Sequence, residues 1–361
     1  AWNLWWAKES WVDRAGLDGF MHNPFDADVM FYPISINLSF YTLTLLNGAL
    51  SIPLQSAVSL ILTSNLLLIS SFVIGGFGAY LLTLELLAHP RHDPLGRSAP
   101  PASDLRPLAA TLAALLYAFA SAKLFYVSLG QFNIASSQWL PFLVLYLVRG
   151  MRQPRRWQNG VMMGLFLLLQ TWAELTFGTF GVLLIAIVTI GVVLYAVLVG
   201  IKDRNATSAV KDGDESPATN EIHYASRYAL YVLRNAAIAA IMFVIGLIPY
   251  LLNMLPDMSA DGDFLVEGGG FSDIFSVDIL GFLFPTQLHP LLGNIARTIA
   301  NNSALRPDQS QFMVNKGQHL FFGFSVMLLA AYGLWTYRRT LWVWAMTLLT
   351  AFFLWVSLGP V

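Results

Sequence analysis

Two carboxylates separated by one residue lie near the beginning of the chain, in the segment NPFDADVMFYP. Asp26 and Asp28 would lie on the same side of an extended turn, because successive side chains of extended backbone alternate between faces. Such a pair can share a divalent cation, with Mg²⁺ or Mn²⁺ as the candidate metal, or it can supply a general base. Asn23, which precedes a proline, favours the alternative of a polar loop with an Asx turn. Tyr32 closes the segment and is a candidate substrate contact.

A third carboxylate, Glu174, stands between two apolar runs in the segment LLLQTWAELTFGTF. An acid at membrane depth is costly and is a functional candidate for that reason. We therefore treat Glu174 as a candidate catalytic residue. The alternative is an acid at a helix end that reaches the headgroup layer.

Amide and indole side chains precede another apolar stretch in the segment SLGQFNIASSQWLPF. Such groups can hydrogen-bond the hydroxyls of a sugar, and they are equally suited to cap the next helix and anchor it at the membrane interface. The candidate substrate-binding residues here are Gln131, Asn133, Gln138 and Trp139.

Two histidines, His289 and His319, lie in the long segment between the last two groups of apolar runs. Either one is a candidate substrate contact, although a lone histidine more often has a structural or interfacial role. The sequence contains no phosphate-binding loop, zinc-type H-E-x-x-H, serine elbow or dinucleotide fingerprint.

The composition determines which elements must position these residues. The chain of 361 residues is 56% hydrophobic and 11% charged, with a mean hydropathy of +0.60, whereas soluble domains carry about 25% charged residues. Only helices and closed barrels cross a bilayer, and the apolar runs here do not alternate as barrel strands do. The sequence therefore predicts an all-α, polytopic bundle of transmembrane helices.

A net charge of −1 gives no indication of a nucleic-acid partner, and the absence of cysteine excludes disulfides.

The apolar segments and the tracts between them divide the chain. About eight spans are predicted, at 61–88, 106–121, 134–149, 157–174, 176–201, 234–252, 320–336 and 341–359. The predicted domains are an external interfacial platform at 1–60, a transmembrane core at 61–252 with a cytoplasmic polar linker at 202–233, an external segment at 253–319 and a C-terminal transmembrane hairpin at 320–361.

The platform begins with an amphipathic, tryptophan-rich stretch. Trp2, Trp5 and Trp6 recur at roughly helical spacing, with Lys8 and Glu9 on the other side. Tryptophan prefers the headgroup layer, where its ring is half buried and its N–H stays hydrated. We therefore expect helices that lie parallel to the membrane plane on its external face.

Charge orients the predicted spans. When the spans alternate, most of the 20 basic residues fall on the side of the 149–156 segment, and the candidate acids fall on the side of the platform. Basic residues stay cytoplasmic, so the platform is expected to be external. This predicts a multi-pass protein of a bacterial cytoplasmic membrane with its active face outside.

Several segments, in the same order along the chain, resemble the bacterial membrane proteins of the GT-C glycosyltransferase superfamily. They are WNLWW, NPFDADVMFYP, LTLLNGALSIPLQ, FGAYLLTLELL, LAALLYAFA with GQFNIASSQWLPF, GFLFPTQLHPLLG, LFFGFSVMLLAAYGLW and a terminal SLGP. The resemblance covers nearly the whole chain, and the order of the segments carries it.

The resemblance implies an enzyme that transfers a sugar from a polyprenyl-phosphate carrier to an acceptor outside the cytoplasm, with inversion at the anomeric carbon. An acidic residue of the first external loop would act as the base or hold a metal, which here points to Asp26 and Asp28. In that superfamily the acid usually follows a first span closely, so the chain is expected to be a fragment that lacks this span. The partners expected are a lipid-linked sugar donor and membrane lipid. The alternative function is a non-catalytic integral membrane subunit, or a lipid- or glycan-binding protein on the same scaffold.

Overall fold

The computed structural model is mostly helical. It describes residues 1–14, 22–41, 43–88, 105–207, 217–260, 279–283, 285, 289, 291–300 and 321–358. The helices are α1 (Trp2–Lys8), α2 (Leu45–Ala57), α3 (Leu60–Leu87), α4 (Arg106–Ala118), α5 (Ser121–Ser128), α6 (Phe132–Ala135), α7 (Leu140–Arg152), α8 (Gln158–Ala173), α9 (Leu175–Thr207), α10 (Pro217–Ala260), α11 (Ile279–Leu283), α12 (Gly293–Ala300), α13 (Phe324–Thr336) and α14 (Leu341–Ser357). Two short antiparallel strands, β1 (Asp26–Ala27) and β2 (Ile36–Asn37), form the sheet that the described residues contain.

Each of the eight predicted spans coincides with a helix, but not all of these helices are long enough to cross a membrane. In the described part of the chain, four segments have the necessary length and apolar composition: Leu60–Leu87, Arg106–Ser128, Leu175–Val199 and Ala225–Ser259. The protein therefore has the features of a multi-span membrane protein, and the remaining four spans stay predictions. Helix α9 continues to Thr207 and α10 begins at Pro217, so both helices extend into the segment 202–233, whose assignment as a cytoplasmic polar linker stays a prediction.

The chain forms two compact units. The first comprises residues 1–118 and 132–256, and the second comprises residues 119–131 and 257–361. In the second unit, the hydroxyl of Ser121 donates a hydrogen bond to the carbonyl of Phe321, and Phe321 packs edge-on against Phe324 at 4.9 Å between ring centroids.

Glycines allow close packing of the helices in the first unit. A Cβ on Gly78 of α3 would lie 2.7 Å from Phe142 of α7, and one on Gly160 of α8 would lie 2.7 Å from the carbonyl oxygen of Asn235 in α10. Both distances are shorter than a van der Waals contact, so these helix pairs need glycine to approach as they do. The core between them is apolar and includes Leu143 and Leu167, both essentially buried.

The platform packs around a second apolar cluster. Trp6 is fully buried there with Phe25, Ala27 and Tyr250, and its indole N–H donates to the carbonyl of Pro24 at 2.8 Å. The tryptophan that was expected at the headgroup layer is therefore a core residue, because its ring and its N–H both find partners within the protein. Helix α1 continues into a π-helical turn at Glu9–Asp13.

Contacts define two opposite ends of the first unit. At one end, Arg149 Nε binds Glu85 Oε2 at 2.9 Å, and Arg234 Nη2 donates to the carbonyl of Arg155 at 2.9 Å. At the other end, the platform reaches Asn253 of α10. Arg234 and Asn253 are separated by 19 residues of one helix, which corresponds to about 28 Å.

Close packing at Gly160 makes a testable prediction. Substituting Gly160→Ala should force α8 away from α10 and destabilise the protein by about 1–3 kcal/mol, because the new methyl group meets backbone atoms. The matched control is Gly191→Ala in α9, where a Cβ has no neighbour within 4 Å. Thermal unfolding of both variants in the same detergent measures the difference; a Gly160→Ala protein as stable as the control would contradict this packing.

Candidate functional site

Glu174 occupies the tight connection between α8 and α9. It is the C-terminal cap of α8, with extended backbone at φ −158° and ψ 114°, and its side chain is buried, at 7% exposure. Its Oε2 accepts a hydrogen bond from Asn133 Nδ2 at 2.9 Å, and its Oε1 accepts one from the backbone N–H of Thr176 at 3.4 Å. The carboxylate is therefore held within the protein and does not project freely to the headgroups.

Gln170 lies one helical turn before Glu174 and is fully buried. Its Nε2 donates to the carbonyl of Ser136 at 2.8 Å, and its Oε1 accepts from the backbone N–H of Trp139 at 3.2 Å. A single side chain thus satisfies both a donor and an acceptor of the loop that connects α6 to α7.

Asn47 of α2 completes the same network. Its Nδ2 donates to the hydroxyl of Ser136 at 2.9 Å, and that hydroxyl donates to the carbonyl of Phe132 at 2.8 Å. We call Glu174, Asn133, Gln170, Ser136 and Asn47 the polar junction. It joins α2, the α6–α7 loop and the end of α8 through hydrogen bonds among partly or fully buried groups, which rigidify a structure when they are satisfied.

Two further candidates flank the polar junction and keep buried polar atoms without a partner. Within the described residues, neither Gln138 Oε1 nor Trp139 Nε1 has a hydrogen-bond partner. The Trp139 ring packs on Phe166, with 6.1 Å between the ring centroids. Since α7 begins without a side-chain cap, the amides here do not cap that helix, and Asn133 is used by Glu174 instead.

The two platform acids have different surroundings. Asp28 is engaged by Arg14, whose Nη1 lies 2.9 and 3.0 Å from its two carboxylate oxygens. Arg14 also contacts Glu9 at 3.4 Å and lies over the ring of Trp6, 4.9 Å from its centroid. Asp28 is therefore one member of a fixed ion-pair group.

Asp26 lies in β1, opposite Asn37 of β2. It is exposed, as is Asp28, while Ala27 between them is buried, so the two acids share one face as expected. No hydrogen bond or ion pair to the Asp26 carboxylate occurs within the described part of the chain. The Asx turn of the alternative interpretation is also present, because the backbone N–H of Phe25 donates to Asn23 Oδ1 at 3.1 Å.

The residues around Asp26 and Asp28 do not fit a divalent cation. A cation shared by the two carboxylates would meet the guanidinium of Arg14, which already contacts both oxygens of Asp28. The described segments also contain no cluster of three or more His, Asp or Glu side chains that could hold a metal. We therefore derive no chemical step through a metal, and the Mg²⁺ or Mn²⁺ site stays a prediction.

The remaining candidates lie apart from the polar junction in the chain. Tyr32 is 85% exposed in the loop between β1 and β2. Gln131 is exposed and belongs to the second unit. His289, in the same unit, accepts hydrogen bonds at Nδ1 from the backbone N–H groups of Leu291 and Leu292 at 3.2 and 3.1 Å, which is a structural role. His319 lies outside the described residues.

The platform is fixed to α10 close to Glu174. Asn253 Oδ1 accepts from Asn23 Nδ2 at 2.7 Å, and its carbonyl accepts from Asn37 Nδ2 at 2.6 Å. The hydroxyl of Tyr250 donates to the carbonyl of Leu43 at 3.2 Å. The hairpin that carries Asp26 is therefore attached near the end of α10. The end of α8 is tied to the same helix, because Trp172 Nε1, two residues before Glu174, donates to the carbonyl of Gly246 at 3.0 Å.

Sequence reasoning missed three residues that organise this region, namely Asn47, Ser136 and Asn253. Asn47 carried a recognisable signal, because it is an isolated amide within the apolar run LTLLNGALSIPL, and buried amides need a partner. Asn253 and Ser136 carried no such signal, since each stands in a segment that already looked polar or interfacial. Comparison with known proteins adds no further assignment: no family model, curated protein or solved structure matches this chain.

The polar junction makes a stability prediction. Replacing Gln170→Leu should cost about 1–3 kcal/mol, because the carbonyl of Ser136 and the N–H of Trp139 would each lose a partner. The matched control is Gln158→Leu, at the exposed beginning of the same helix. Unfolding of both variants under identical detergent conditions tests this, and equal stabilities would show that Gln170 is not a structural tie.

Proposed function

We propose that this chain is a membrane glycosyltransferase of the GT-C type, with up to eight spans, that transfers a sugar from a polyprenyl-phosphate carrier to an acceptor on the external face. The observation that carries the proposal is the position of Asp26. It is an exposed carboxylate without an ion-pair partner among the described residues, on a hairpin fixed to the end of α10 that lies farthest from the arginines. The order of the GT-C-like segments supports the same proposal.

The distribution of charge supports an external site. The arginines that bind Glu85 and the turn after α7 lie at one end of the first unit, and the platform acids lie at the other. If the arginine end is cytoplasmic, as basic residues usually are, Asp26 and Asp28 belong to the outer surface. A lipid-linked donor in the outer leaflet would meet them there.

In the proposed reaction, Asp26 is the general base. Its carboxylate accepts the proton of an acceptor hydroxyl, the hydroxyl oxygen attacks the anomeric carbon, and the bond from that carbon to the phosphate oxygen of the carrier breaks. Polyprenyl phosphate leaves with the electron pair, and the configuration of the sugar inverts. Asp28 is a positioning residue that orients the hairpin through Arg14. Glu174 and Asn133 are proposed to support the sugar site from the interior side of the protein.

The alternative is a lipid- or glycan-binding protein, or a non-catalytic subunit, on the same scaffold. One observation favours it: Asp28 is occupied by Arg14, and Glu174 is occupied by Asn133 and Thr176. Two of the three acids expected to act chemically therefore already have structural partners. A protein of this kind would bind the lipid-linked sugar and release it unchanged.

Transfer of a labelled sugar from polyprenyl phosphate in proteoliposomes tests the proposal. Asp26→Asn should lower the rate by about 100-fold or more, because general base catalysis typically contributes that much, and donor binding should be retained. The matched control is Asp13→Asn, which removes an exposed platform acid that pairs with Lys8 at 3.3 Å and should leave the rate unchanged. Normal transfer by Asp26→Asn would refute the role of Asp26, and donor binding without any turnover by the unmodified protein would support the binding alternative.

A further inference from the structure

The turn between α7 and α8 is rigid and strongly basic. The carbonyl of Pro154 accepts hydrogen bonds from Arg234 Nη2 at 3.2 Å and from Asn235 Nδ2 at 3.1 Å. Asn159 Nδ2 reaches back to the carbonyls of Arg149 and Gln153 at 3.1 and 3.2 Å. Side chains thus satisfy the backbone of this turn, so its shape does not depend on solvent.

The turn carries two arginines that are not neutralised. Glu85 pairs with Arg149 at 2.9 Å and with Arg152 at 3.5 Å. Arg155 and Arg156 are exposed, and their guanidinium groups make no ion pair or hydrogen bond in the described part of the chain. Trp157 follows them and is 54% exposed.

Helix α9, which packs beside α8, extends beyond the level of the α7–α8 turn. Helices α8 and α9 run antiparallel from Glu174, because a Cβ on Gly178 would lie 3.0 Å from Thr171 Cα and one on Gly181 would lie 2.8 Å from Leu167. Residues of α8 and α9 that are the same number of positions away from Glu174 therefore lie at the same height along the helix axes. This places Trp157 beside Gly191. The apolar span in α9 continues to Val199, about 12 Å further.

The same comparison holds for α10. A Cβ on Gly160 would lie 2.7 Å from the carbonyl oxygen of Asn235, and one on Gly164 would lie 2.9 Å from Ala239 Cα, so α8 and α10 run in parallel and Trp157 is level with Val232. Helix α10 itself continues beyond that level, and Ala225 lies about 10 Å further, but this stretch carries the exposed Arg227 as well as Leu230, so the depth of the turn follows from α9. The large apolar side chains exposed on these extensions are Leu194, Tyr195, Val197, Leu198 and Leu230.

We infer that the α7–α8 turn binds the phosphate of an anionic phospholipid through Arg155 and Arg156. A cation at this depth is costly unless an anion accompanies it. Guanidinium groups pair with phosphate through two parallel hydrogen bonds, and the exposed apolar side chains of α9 and α10 suit the acyl chains. Trp157 is the residue type expected beside a headgroup. The lipid belongs to the leaflet on the arginine side and is independent of the proposed sugar donor.

Native mass spectrometry of the full chain, titrated with short-chain phosphatidylglycerol, tests the inference. The double variant Arg155→Gln with Arg156→Gln should bind this lipid about tenfold more weakly, because charged hydrogen bonds to phosphate are lost. The matched control is Arg338→Gln with Arg339→Gln, which removes the same charge from two exposed arginines next to a tryptophan, with Arg338 lying 4.4 Å over the ring of Trp335. The control should bind as the unmodified protein does.

Equal binding by the two double variants would overturn the inference, whether both are weakened or neither is. The single variant Arg156→Gln, expected to bind about threefold more weakly, serves if the double variant does not survive purification. Soluble glycerol phosphate at the same concentration should not displace the lipid, because it lacks acyl chains. Displacement by it would show that a free phosphate ester, and not a lipid, is the ligand.

Discussion

A carboxylate buried in an apolar helical bundle must be hydrogen-bonded, and this requirement at Glu174 shapes the first unit. Glu174 ends α8 where α9 begins, and Asn133 reaches it from α6. Gln170, one turn earlier, fixes the loop between α6 and α7 through the carbonyl of Ser136 and the N–H of Trp139. Since an unsatisfied buried polar group costs about 1–3 kcal/mol, the loop and the helix end can adopt few other arrangements together.

The polar junction also determines where the platform lies. Asn47 connects α2 to Ser136, and α2 begins directly after the segment in which the carbonyl of Leu43 accepts the hydroxyl of Tyr250. The hairpin carrying Asp26 is then tied to Asn253 at the end of α10. A chain of contacts thus leads from the buried acid to the exposed acid, and the proposed base depends on it for its position.

The sequence predicted the helical class, the approximate position of the four long apolar helices found among the described residues, and the shared face of Asp26 and Asp28. These features depend on local pattern, such as apolar runs and the alternation of extended backbone. It did not predict that Trp6 would be a core residue or that Arg14 would occupy Asp28, because both depend on contacts between segments. Glu174 was recognised from its cost at membrane depth, yet its partner Asn133 was predicted to be a sugar contact, with a helix cap as the alternative. An amide can serve in either role, and only the packing of α6 beside the end of α8 decides between them.

The proposed function requires the hairpin with Asp26 and the turn with Arg155 to lie on opposite sides of a membrane. Because the chain contains no cysteine, single cysteines introduced as Ile34→Cys and Gln158→Cys, both at exposed positions, can be labelled in intact cells with a membrane-impermeant maleimide. We expect Ile34→Cys to be labelled from outside and Gln158→Cys to be labelled only after the membrane is opened. Labelling of both from the same side, or of Gln158→Cys alone from outside, would contradict an external site for sugar transfer.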